Sequence, residues 1–508
     1  MPIQTQFLGV SDAIESDIPN YSQLDLESKY YALLNKSVQQ LFQFLEVDAE
    51  DSKSFITDFV YINALSLGRA GYGFATRTAN DLGYSGIRTH EIDLGGASVG
   101  GALEQAHRII QSDEHAVVLL ASAEIPKSSF KTISDLKRLN DTVCHPDWEL
   151  KNGATLISMY GLLMNRMMKD TGITENDLIE ITKTFRERAF QNTRAVHFEK
   201  PITEKQTAKH IASPYSSPMI AIVSDHGYAC LLTSEKRAKE LSKEMRLKKQ
   251  KPLFVRAANH AIYSEYFIHK ANFMSPAGVA MENALKNSNV KRNEIEYAWI
   301  YDCFTGMVVT QASGYFGESP KLVAETLKKG EIPIEKRTIP INLGGGILNY
   351  QAAMGLSGVT GLVDVASQYG LSANPIPNVL KETPKMSLLS GNGGVDSINS
   401  VVLFSTETSS ESKSGLLFHS RKLKLNHPNP KEGSQATVLS ATTVYFNPAG
   451  EIKPPYTVAI VKCDDDSSLL VNLASADGSL LQSHETIELD KTQVRLQKDA
   501  TGKWIGIL

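Results

Sequence analysis

The chain has few cysteines, and they are scattered. Four occur among 508 residues, too far apart for the paired spacing of a zinc knuckle and too few for a disulfide framework. They are Cys144, Cys230, Cys303 and Cys463. This usage is typical of a reducing compartment, so we expect a cytoplasmic protein with no metal site.

Features of membrane and nucleic-acid-binding proteins are also missing. No uninterrupted apolar stretch approaches the roughly 18 residues of a membrane span, and residues 1–20 have no basic segment leading into an apolar run. The net charge is −4, with lysine and arginine spread along the chain. We therefore expect no signal peptide, no membrane span and no nucleic-acid partner.

One phrase occurs twice in the chain. Segments 92–96 and 341–345 read Ile-Asp-Leu-Gly-Gly and Ile-Asn-Leu-Gly-Gly, each an apolar strand end followed by a glycine turn. The small residues after the first turn predict a helix, and residues 347–358 predict another after the second. A helix start gathers unpaired backbone N–H groups that can hold an anion or oxyanion. The repetition predicts a duplicated α/β core with a site between the halves.

Strands and helices alternate through both halves, which predicts a parallel sheet with right-handed crossovers. Apolar spacing predicts helices over 25–47, 74–81, 100–111, 279–286 and 306–316. Strands are predicted at 59–62, 116–120, 218–222, 228–232, 253–255, 297–301 and 400–404, and around Ile92 and Ile341.

Three regions interrupt this alternation. Residues 125–220 are charged, helix-prone and too long for a connection, so they predict a subdomain inserted in the first half, 1–250. The second half is expected at 251–404, followed by a Ser/Thr-rich linker at 405–416. Residues 417–508 predict a small all-β barrel. Its strands are expected at 435–445, 457–462, 469–474, 486–489 and 493–496.

Five motifs in order give residues 1–404 a family resemblance. They are segments 96–103, 225–229, 301–305, 340–346 and 393–394. With them the chain resembles the thiolase superfamily, and within it the sterol-carrier-protein-x type of lipid-transfer thiolases. The resemblance implies a five-layered core of two βαβαβαββ halves, a typical homodimer, and acyl-CoA or carrier thioesters as ligands. The C-terminal barrel resembles the OB-fold module that accompanies such proteins, although it lacks that module's zinc ribbon.

The resemblance also implies three catalytic positions, and the chain departs from the family at each. Gly96 aligns with the cysteine nucleophile, Ala352 with the histidine of the Gly-His-Pro motif, and Ser390 with the last catalytic Cys or His. The fourth element keeps Tyr301, where sterol-carrier thiolases have histidine and a branch that includes acyl-CoA aldolases has tyrosine. A phenol can donate a hydrogen bond to a thioester or enolate oxygen, so Tyr301 is the leading catalytic candidate. A tyrosine that only packs the core is the alternative.

Further candidates surround these positions. Ser98 and Cys303 are candidates for a displaced nucleophile, although a helix-start serine and a structural cysteine are the ordinary alternatives. Gly96 and Gly394 are predicted to supply oxyanion N–H groups, and Asn342 to contact substrate or to tie down its turn. His226 beside the aspartate at 225 suggests either a dyad or a strand-positioning role.

Three functions remain open at this level. The first is an enzyme that makes or breaks a C–C bond beside a CoA or carrier thioester without a covalent cysteine, in a retro-aldol or Claisen reaction. The second is a catalytically inactive thiolase homologue that binds acyl-CoA or acts as a scaffold for an active thiolase-family partner. The third is an acyltransferase with a displaced nucleophile. Each uses a coenzyme A thioester as substrate or ligand, and none needs a covalently bound cofactor.

Overall fold

The computed structural model describes residues 2–67, 73–244, 247–248, 250–264, 266, 275–408 and 428–508. The strands of this part are β1 (Thr5–Ile14), β2 (Asp58–Ile62), β3 (Arg88–Ile92), β4 (Val117–Glu124), β5 (His210–Ala212), β6 (Tyr215–Ser216), β7 (His226–Ser234), β8 (Leu253–Ile262), β9 (Tyr297–Trp299), β10 (Glu331–Ile334), β11 (Arg337–Pro340), β12 (Met386–Gly393), β13 (Ile398–Ser405), β14 (Gln435–Val444), β15 (Tyr456–Cys463), β16 (Ser468–Ala474), β17 (Gln493–Lys498) and β18 (Trp504–Ile507).

Its α-helices are α1 (Leu26–Phe44), α2 (Ala49–Ser52), α3 (Phe74–Asp81), α4 (Ser98–Ser112), α5 (Pro126–Ser129), α6 (Ile133–Val143), α7 (Leu156–Thr171), α8 (Glu175–Phe190), α9 (Glu204–Thr207), α10 (Glu235–Glu244), α11 (Ala277–Ser288), α12 (Thr305–Phe316), α13 (Pro320–Leu327) and α14 (Gly358–Ser367). Among the described residues, none of these helices is long and apolar enough to cross a membrane.

The large sheet repeats one strand order in its two halves. The first half runs β3-β2-β4-β7-β1, and the second continues as β8-β13-β12-β9, with Ile341 bridging Ala298 of β9 as the counterpart of β3. The halves meet where β1 and β8 pair antiparallel. The duplication predicted from the repeated phrase is confirmed. The sheet is mixed rather than parallel, because β7 and β1 run antiparallel to their neighbours.

Two buried helices lie between the halves of the sheet and produce the predicted five layers. Helix α4 contacts β2 and β4 of the first half and β8 and β13 of the second, while α14 packs on β1, β9 and β12. Outside them, α1 and α3 cover the first half and α11 covers the second. Close packing in the middle layer requires small residues, since a Cβ on Gly361 of α14 would lie 2.2 Å from the Trp299 ring.

Helix α1 shows how local sequence sets these elements. Asp25 precedes the helix and accepts a hydrogen bond from the Ser28 N–H at 2.7 Å, which caps the first turn. The apolar side chains of α1 recur at helical spacing and are buried against the sheet. They include Leu34, Val38 and Leu41. The predicted helix over 25–47 is therefore confirmed, with small differences at its ends.

Four sequence predictions are wrong in detail. Residues 347–357 are irregular up to a short 3-10 turn, and helix α14 begins only at Gly358, because the Asp302 carboxylate holds the Ile347 and Leu348 N–H groups. Residues 218–222 begin with a 3-10 turn in place of a strand, since Pro218 has no N–H to donate to a ladder. Residues 486–489 form turns, and the strand predicted around Ile341 is a single bridge.

The C-terminal strands close into the predicted small all-β barrel. Strands β14, β15, β16, β18 and β17 are neighbours in this order, and β14 pairs with both β15 and β17. The predicted linker begins at Ser405, where β13 ends; its residues 409–416 lie outside the described residues.

The barrel is fastened to the insert of the first half. Helix α7 packs along β14, and β5 extends the barrel sheet where Ala212 pairs with Val444. The buried Tyr456 hydroxyl donates to the Gly153 carbonyl at 2.7 Å and accepts from Asn447 Nδ2 at 2.8 Å. Insert and barrel therefore share one interface and one apolar core.

Replacing Tyr456 by phenylalanine tests this attachment. Tyr456→Phe leaves the Gly153 carbonyl and the Asn447 amide without their buried partner, so we expect a loss of about 1–3 kcal/mol in the free energy of unfolding. The measurement is urea unfolding, with Tyr445→Phe, at a more exposed barrel position, as the matched control. Equal effects of the two variants would contradict the assignment.

Candidate functional site

A cavity of about 400 Å³ lies where the first glycine turn, the insert and the barrel meet. Gly96, Tyr301 and Gly394 line its inner part, α6 and α7 of the insert form one wall, and residues 446–449 of the barrel form another. Among the described residues that line it, none is charged, and most are apolar. The cavity therefore suits an uncharged, largely apolar group.

Exposed apolar side chains surround its mouth. Leu65, Val223 and Phe446 line the cavity and also face solvent, with 59% of Phe446 exposed. They come from the first half of the core, the segment before β7 and the β14–β15 turn. Three separate parts of the chain thus form one apolar entrance.

Tyr301 lies directly against Gly96. A Cβ built on Gly96 would stand 2.2 Å from Tyr301 Oη and 2.3 Å from the Asn392 carbonyl oxygen. No side chain fits at position 96 beside this tyrosine, so the phenol occupies the place into which a cysteine at 96 would project. Tyr301 can therefore occupy this place only because residue 96 is a glycine.

Tyr301 is held by three contacts at the end of β9. Its N–H donates to Ser390 Oγ at 2.9 Å, and its carbonyl accepts from Gln311 Nε2 at 2.8 Å. The ring meets the Trp299 indole edge to face, with ring centroids 6.0 Å apart. Ser390, the third position of departure from the family, thus holds the backbone of the tyrosine.

The Tyr301 side chain is buried, with 5% of its surface exposed. Burial raises the pKa of its phenol well above the usual range, a charge on the neighbouring Cys303 would raise it further, and the Ser357 hydroxyl lowers it in part. At neutral pH the group is an uncharged phenol that can donate a hydrogen bond into the cavity.

The two candidates for a displaced nucleophile lie in different surroundings. Cys303 lines the cavity, but burial raises the pKa of its thiol well above the usual range, so the reactive thiolate is disfavoured. Ser98 is fully buried in the first turn, where its hydroxyl donates to the Gly95 carbonyl at 2.6 Å and accepts from the Leu94 N–H at 2.9 Å. Both of its hydrogen-bonding roles are used within the turn.

Of the residues predicted to contact an oxyanion or the substrate, some line the cavity and one does not. Gly96 and Gly394 line the cavity, as does Ala352, whose backbone exchanges two hydrogen bonds with Ser224. Asn342 lies deeper, fully buried, with Oδ1 accepting from the Ile300 N–H and Nδ2 donating to the Ile300 carbonyl, both at 2.8 Å. Its side chain ties the second turn to the end of β9.

His226 belongs to a buried network behind the cavity. Its Nε2 lies 3.0 Å from Asp12 Oδ2, which also accepts from the Tyr350 hydroxyl at 3.0 Å, while Arg194 pairs with the other Asp12 oxygen. Asp225 instead accepts from Tyr21 and Ser128. The dyad considered for His226 and Asp225 is therefore not formed, and His226 bonds to β1.

Two polar residues next to the site are missed by sequence reasoning. Asp302 accepts from the Ile347 and Leu348 N–H groups at 2.9 and 3.2 Å, and burial raises its pKa to about 7. Asn392 lines the cavity beside Gly96. Asp302 adjoins Tyr301 in its motif, which is a usable signal, whereas Asn392 lies in a Gly-rich segment that predicts only a turn.

Two comparisons with known proteins match this chain at the level of sequence. A family model described as "Thiolase C-terminal domain-like" matches residues 261–406. An acetyl-CoA acetyltransferase of Methanocaldococcus jannaschii is 25% identical over 351 residues, which cover 66% of this chain and 85% of that protein.

Two solved structures share the fold. A monomeric SCP2-thiolase like protein type 1 (STLP1) from Mycobacterium smegmatis aligns with a TM-score of 0.71 at 17% identity, over 100% of this chain and 99% of that one. A structure named Ltp2-ChsH2(DUF35) aldolase aligns with a TM-score of 0.60 at 18% identity, over 79% of this chain and 98% of that one. The thiolase-like fold is thereby confirmed, and the first likeness extends through the barrel.

Adding a side chain at position 96 tests the contact with Tyr301. Gly96→Ala forces the tyrosine or the β12 backbone to move, so we expect a loss of about 1–3 kcal/mol in the free energy of unfolding. Gly355→Ala is the matched control, because a Cβ there meets its nearest atom at an ordinary 3.6 Å in the same cavity. Combining Gly96→Ala with Tyr301→Ala is expected to recover part of the loss; purely additive effects would contradict the steric link.

The pH dependence of stability tests the buried environment of Asp302. Its folded-state pKa of about 7 lies above the usual carboxyl value of ~3.9, so the folded chain binds this proton more tightly than the unfolded chain. The stability that protonated Asp302 contributes is complete below about pH 4 and is lost as pH rises through about 7. We expect the wild type to lose stability relative to Asp302→Asn across this window in urea unfolding. Asp135→Asn, which removes an exposed carboxylate whose pKa is lowered by Thr132, is expected to show no such slope above pH 5.

Proposed function

We propose that this chain is a member of the thiolase superfamily, which its similarity to the matched relatives supports, and that it binds acyl-CoA thioesters and breaks or forms a C–C bond beside the thioester without a cysteine nucleophile. The preferred reaction is a retro-aldol cleavage. The observation that carries the proposal is the neutral Tyr301 phenol at Gly96, inside a cavity, in the place where a cysteine would project.

A retro-aldol step suits these groups. In a 3-hydroxyacyl thioester the hydroxyl loses its proton to water, the bond between C2 and C3 breaks, and the electron pair of that bond passes into the thioester as an enolate, which then takes up a proton from water at C2. A carbonyl forms at C3, and no oxidant or reductant is needed. The negative charge that develops on the thioester oxygen is the place where a donated hydrogen bond lowers the barrier.

Several hydrogen-bond donors for the thioester oxygen lie close together in the cavity. Tyr301 Oη reaches the first glycine turn, and the predicted oxyanion groups are the backbone N–H groups of Gly96 and Gly394, which line the same cavity. Because the surrounding side chains are apolar and uncharged, a hydrogen bond to a developing anion is stronger there than in water.

The absence of charge along the described lining also fixes how a CoA ester would lie. The acyl group would occupy the cavity, and the phosphates of coenzyme A would remain outside the apolar entrance, in contact with solvent. A carrier-bound thioester would present the same acyl group. We also propose a cytoplasmic location, which the four free cysteines support, and the homodimer stays a prediction.

The second candidate function is a catalytically inactive acyl-CoA-binding or scaffolding subunit. It is favoured by the departures at Gly96, Ala352 and Ser390, where the family resemblance implies catalytic groups. Under this alternative the cavity still binds the acyl thioester, but Tyr301 only packs the turn. An acyltransferase using Ser98 is disfavoured, because both roles of that hydroxyl are used within the buried turn.

Removing one oxygen from Tyr301 distinguishes the two functions. Tyr301→Phe keeps the ring against Gly96 but removes the donor, so we expect kcat for cleavage of a 3-hydroxyacyl-CoA to fall about 10²- to 10³-fold, with binding of the ester nearly unchanged. The measurement is release of the carbonyl product, beside calorimetric binding. Cys303→Ala is the matched control in the same cavity and is expected to keep most of its turnover. Wild-type chain that binds acyl-CoA esters but turns over none would establish the second function.

A further inference from the structure

Tyr160 of the insert donates a hydrogen bond to the turn that follows β12. The residue lies in α7 and is 3% exposed, and its hydroxyl donates to the Gly394 carbonyl at 2.7 Å. Both residues line the cavity. Since α7 belongs to the insert and Gly394 to the second half of the core, this bond joins two separate parts of the chain at the cavity wall.

The backbone of Gly394 depends on this bond. Strand β12 ends at Gly393, so its ladder with β13 stops one residue earlier. Gly394 has a φ of 60°, and the bond from Tyr160 is the one hydrogen bond that the described residues give to its backbone. Because glycine has more backbone freedom than any other residue, its position has to be set by such a contact.

The Gly394 amide lies at the proposed reaction centre. A Cβ built on Gly95 would stand 3.3 Å from the Gly394 nitrogen, and a Cβ built on Gly96 would stand 2.2 Å from Tyr301 Oη. The amide and the phenol thus approach consecutive residues of the first glycine turn. A donor stabilises a developing oxyanion only when it is aimed in advance at that oxygen, so a contact that fixes Gly394 affects the rate.

Two contacts hold Tyr160 and its helix in place. The Tyr160 ring stacks on Phe304, with ring centroids 4.2 Å apart and planes inclined by 28°. On the barrel side of α7, Ser440 Oγ donates to the Leu162 carbonyl at 2.7 Å. Burial raises the pKa of the Tyr160 phenol well above its usual range, so the hydroxyl keeps its proton at neutral pH.

We propose that Tyr160 is a positioning residue, which holds the Gly394 carbonyl so that the Gly394 N–H is directed at the thioester oxygen. The inference rests on the proposed acyl-thioester function and gives the insert a part in it. A tyrosine that only joins the insert to the core would stabilise the chain without affecting the ester. The turnover number and the state of the ester carbonyl therefore separate the two roles.

Removing the Tyr160 hydroxyl tests the inference. Tyr160→Phe keeps the ring on Phe304, and we expect kcat for cleavage of 3-hydroxyoctanoyl-CoA to fall about 10- to 100-fold with KM nearly unchanged, since a misdirected donor is lost mainly in the transition state. The second measurement is the infrared carbonyl band of bound octanoyl-CoA labelled with carbon-13 in its thioester group. A hydrogen bond lowers the frequency of this band, so Tyr160→Phe is expected to raise it. Both values are normalised to the folded fraction from circular dichroism, so a loss of stability alone alters neither.

Tyr215→Phe is the matched control. The Tyr215 ring also packs on Phe304, with ring centroids 4.9 Å apart, but its hydroxyl makes no hydrogen bond within the part of the chain that the structure describes. This variant is expected to keep both the wild-type kcat and the wild-type carbonyl band.

The outcomes separate this inference from the proposed function. Wild-type kcat and an unchanged band in Tyr160→Phe would overturn the inference and leave the proposed function standing. A wild type that binds both esters but cleaves neither would overturn the proposed cleavage; a raised band in the variant would then still support the contact, and an unchanged band would refute it. Failure of both esters to bind would overturn the inference together with the proposed function.

Discussion

The close approach of the Tyr301 phenol to Gly96 is the contact on which the site depends. It exists only because position 96 has no side chain, as a Cβ there would stand 2.2 Å from the phenol oxygen. The contact joins the start of α4 in the first half to the end of β9 in the second. A cysteine at 96 and a tyrosine at 301 in this position exclude each other. The glycine at position 96 and the place of the Tyr301 phenol therefore depend on each other sterically.

The duplicated fold creates that contact. In the first half β3 runs into a glycine turn, and in the second half the single bridge at Ile341 does so, while α4 and α14 share the layer between the halves. The turns use their polar groups differently. In the first, Ser98 satisfies the backbone and leaves Gly96 at the cavity. In the second, Asp302 takes the N–H groups of residues 347 and 348, so an internal carboxylate occupies the place where a ligand anion was expected.

The sequence predicts the architecture well because the repeated phrase and the alternating apolar segments are local signals. It also places Tyr301 at the site, through the motif that contains it. It fails where a distant contact decides local structure. The helix expected from residue 347 is replaced by a loop whose N–H groups bond to Asp302. Strand β12 is not predicted, because its Ser-Gly-Asn-Gly end is typical of turns. The unpaired oxygen of Asn392 has no sequence signature, since a missing partner is visible only once the neighbours are in place.

The placement of charge around the site follows one rule. The carboxylates of Asp302 and Asp12 lie outside the cavity lining, where Asp302 is held by backbone N–H groups and Asp12 by Arg194, while the described lining of the cavity carries no charged side chain. Negative charge on Asp302 raises the pKa of the adjacent Tyr301 further, so the phenol stays protonated. A thiolase-type cleavage needs an ionised thiol in the cavity, which this arrangement disfavours. A neutral donor in a largely apolar space instead suits a reaction in which charge appears only as the C–C bond breaks, because no ion has to be buried before that step.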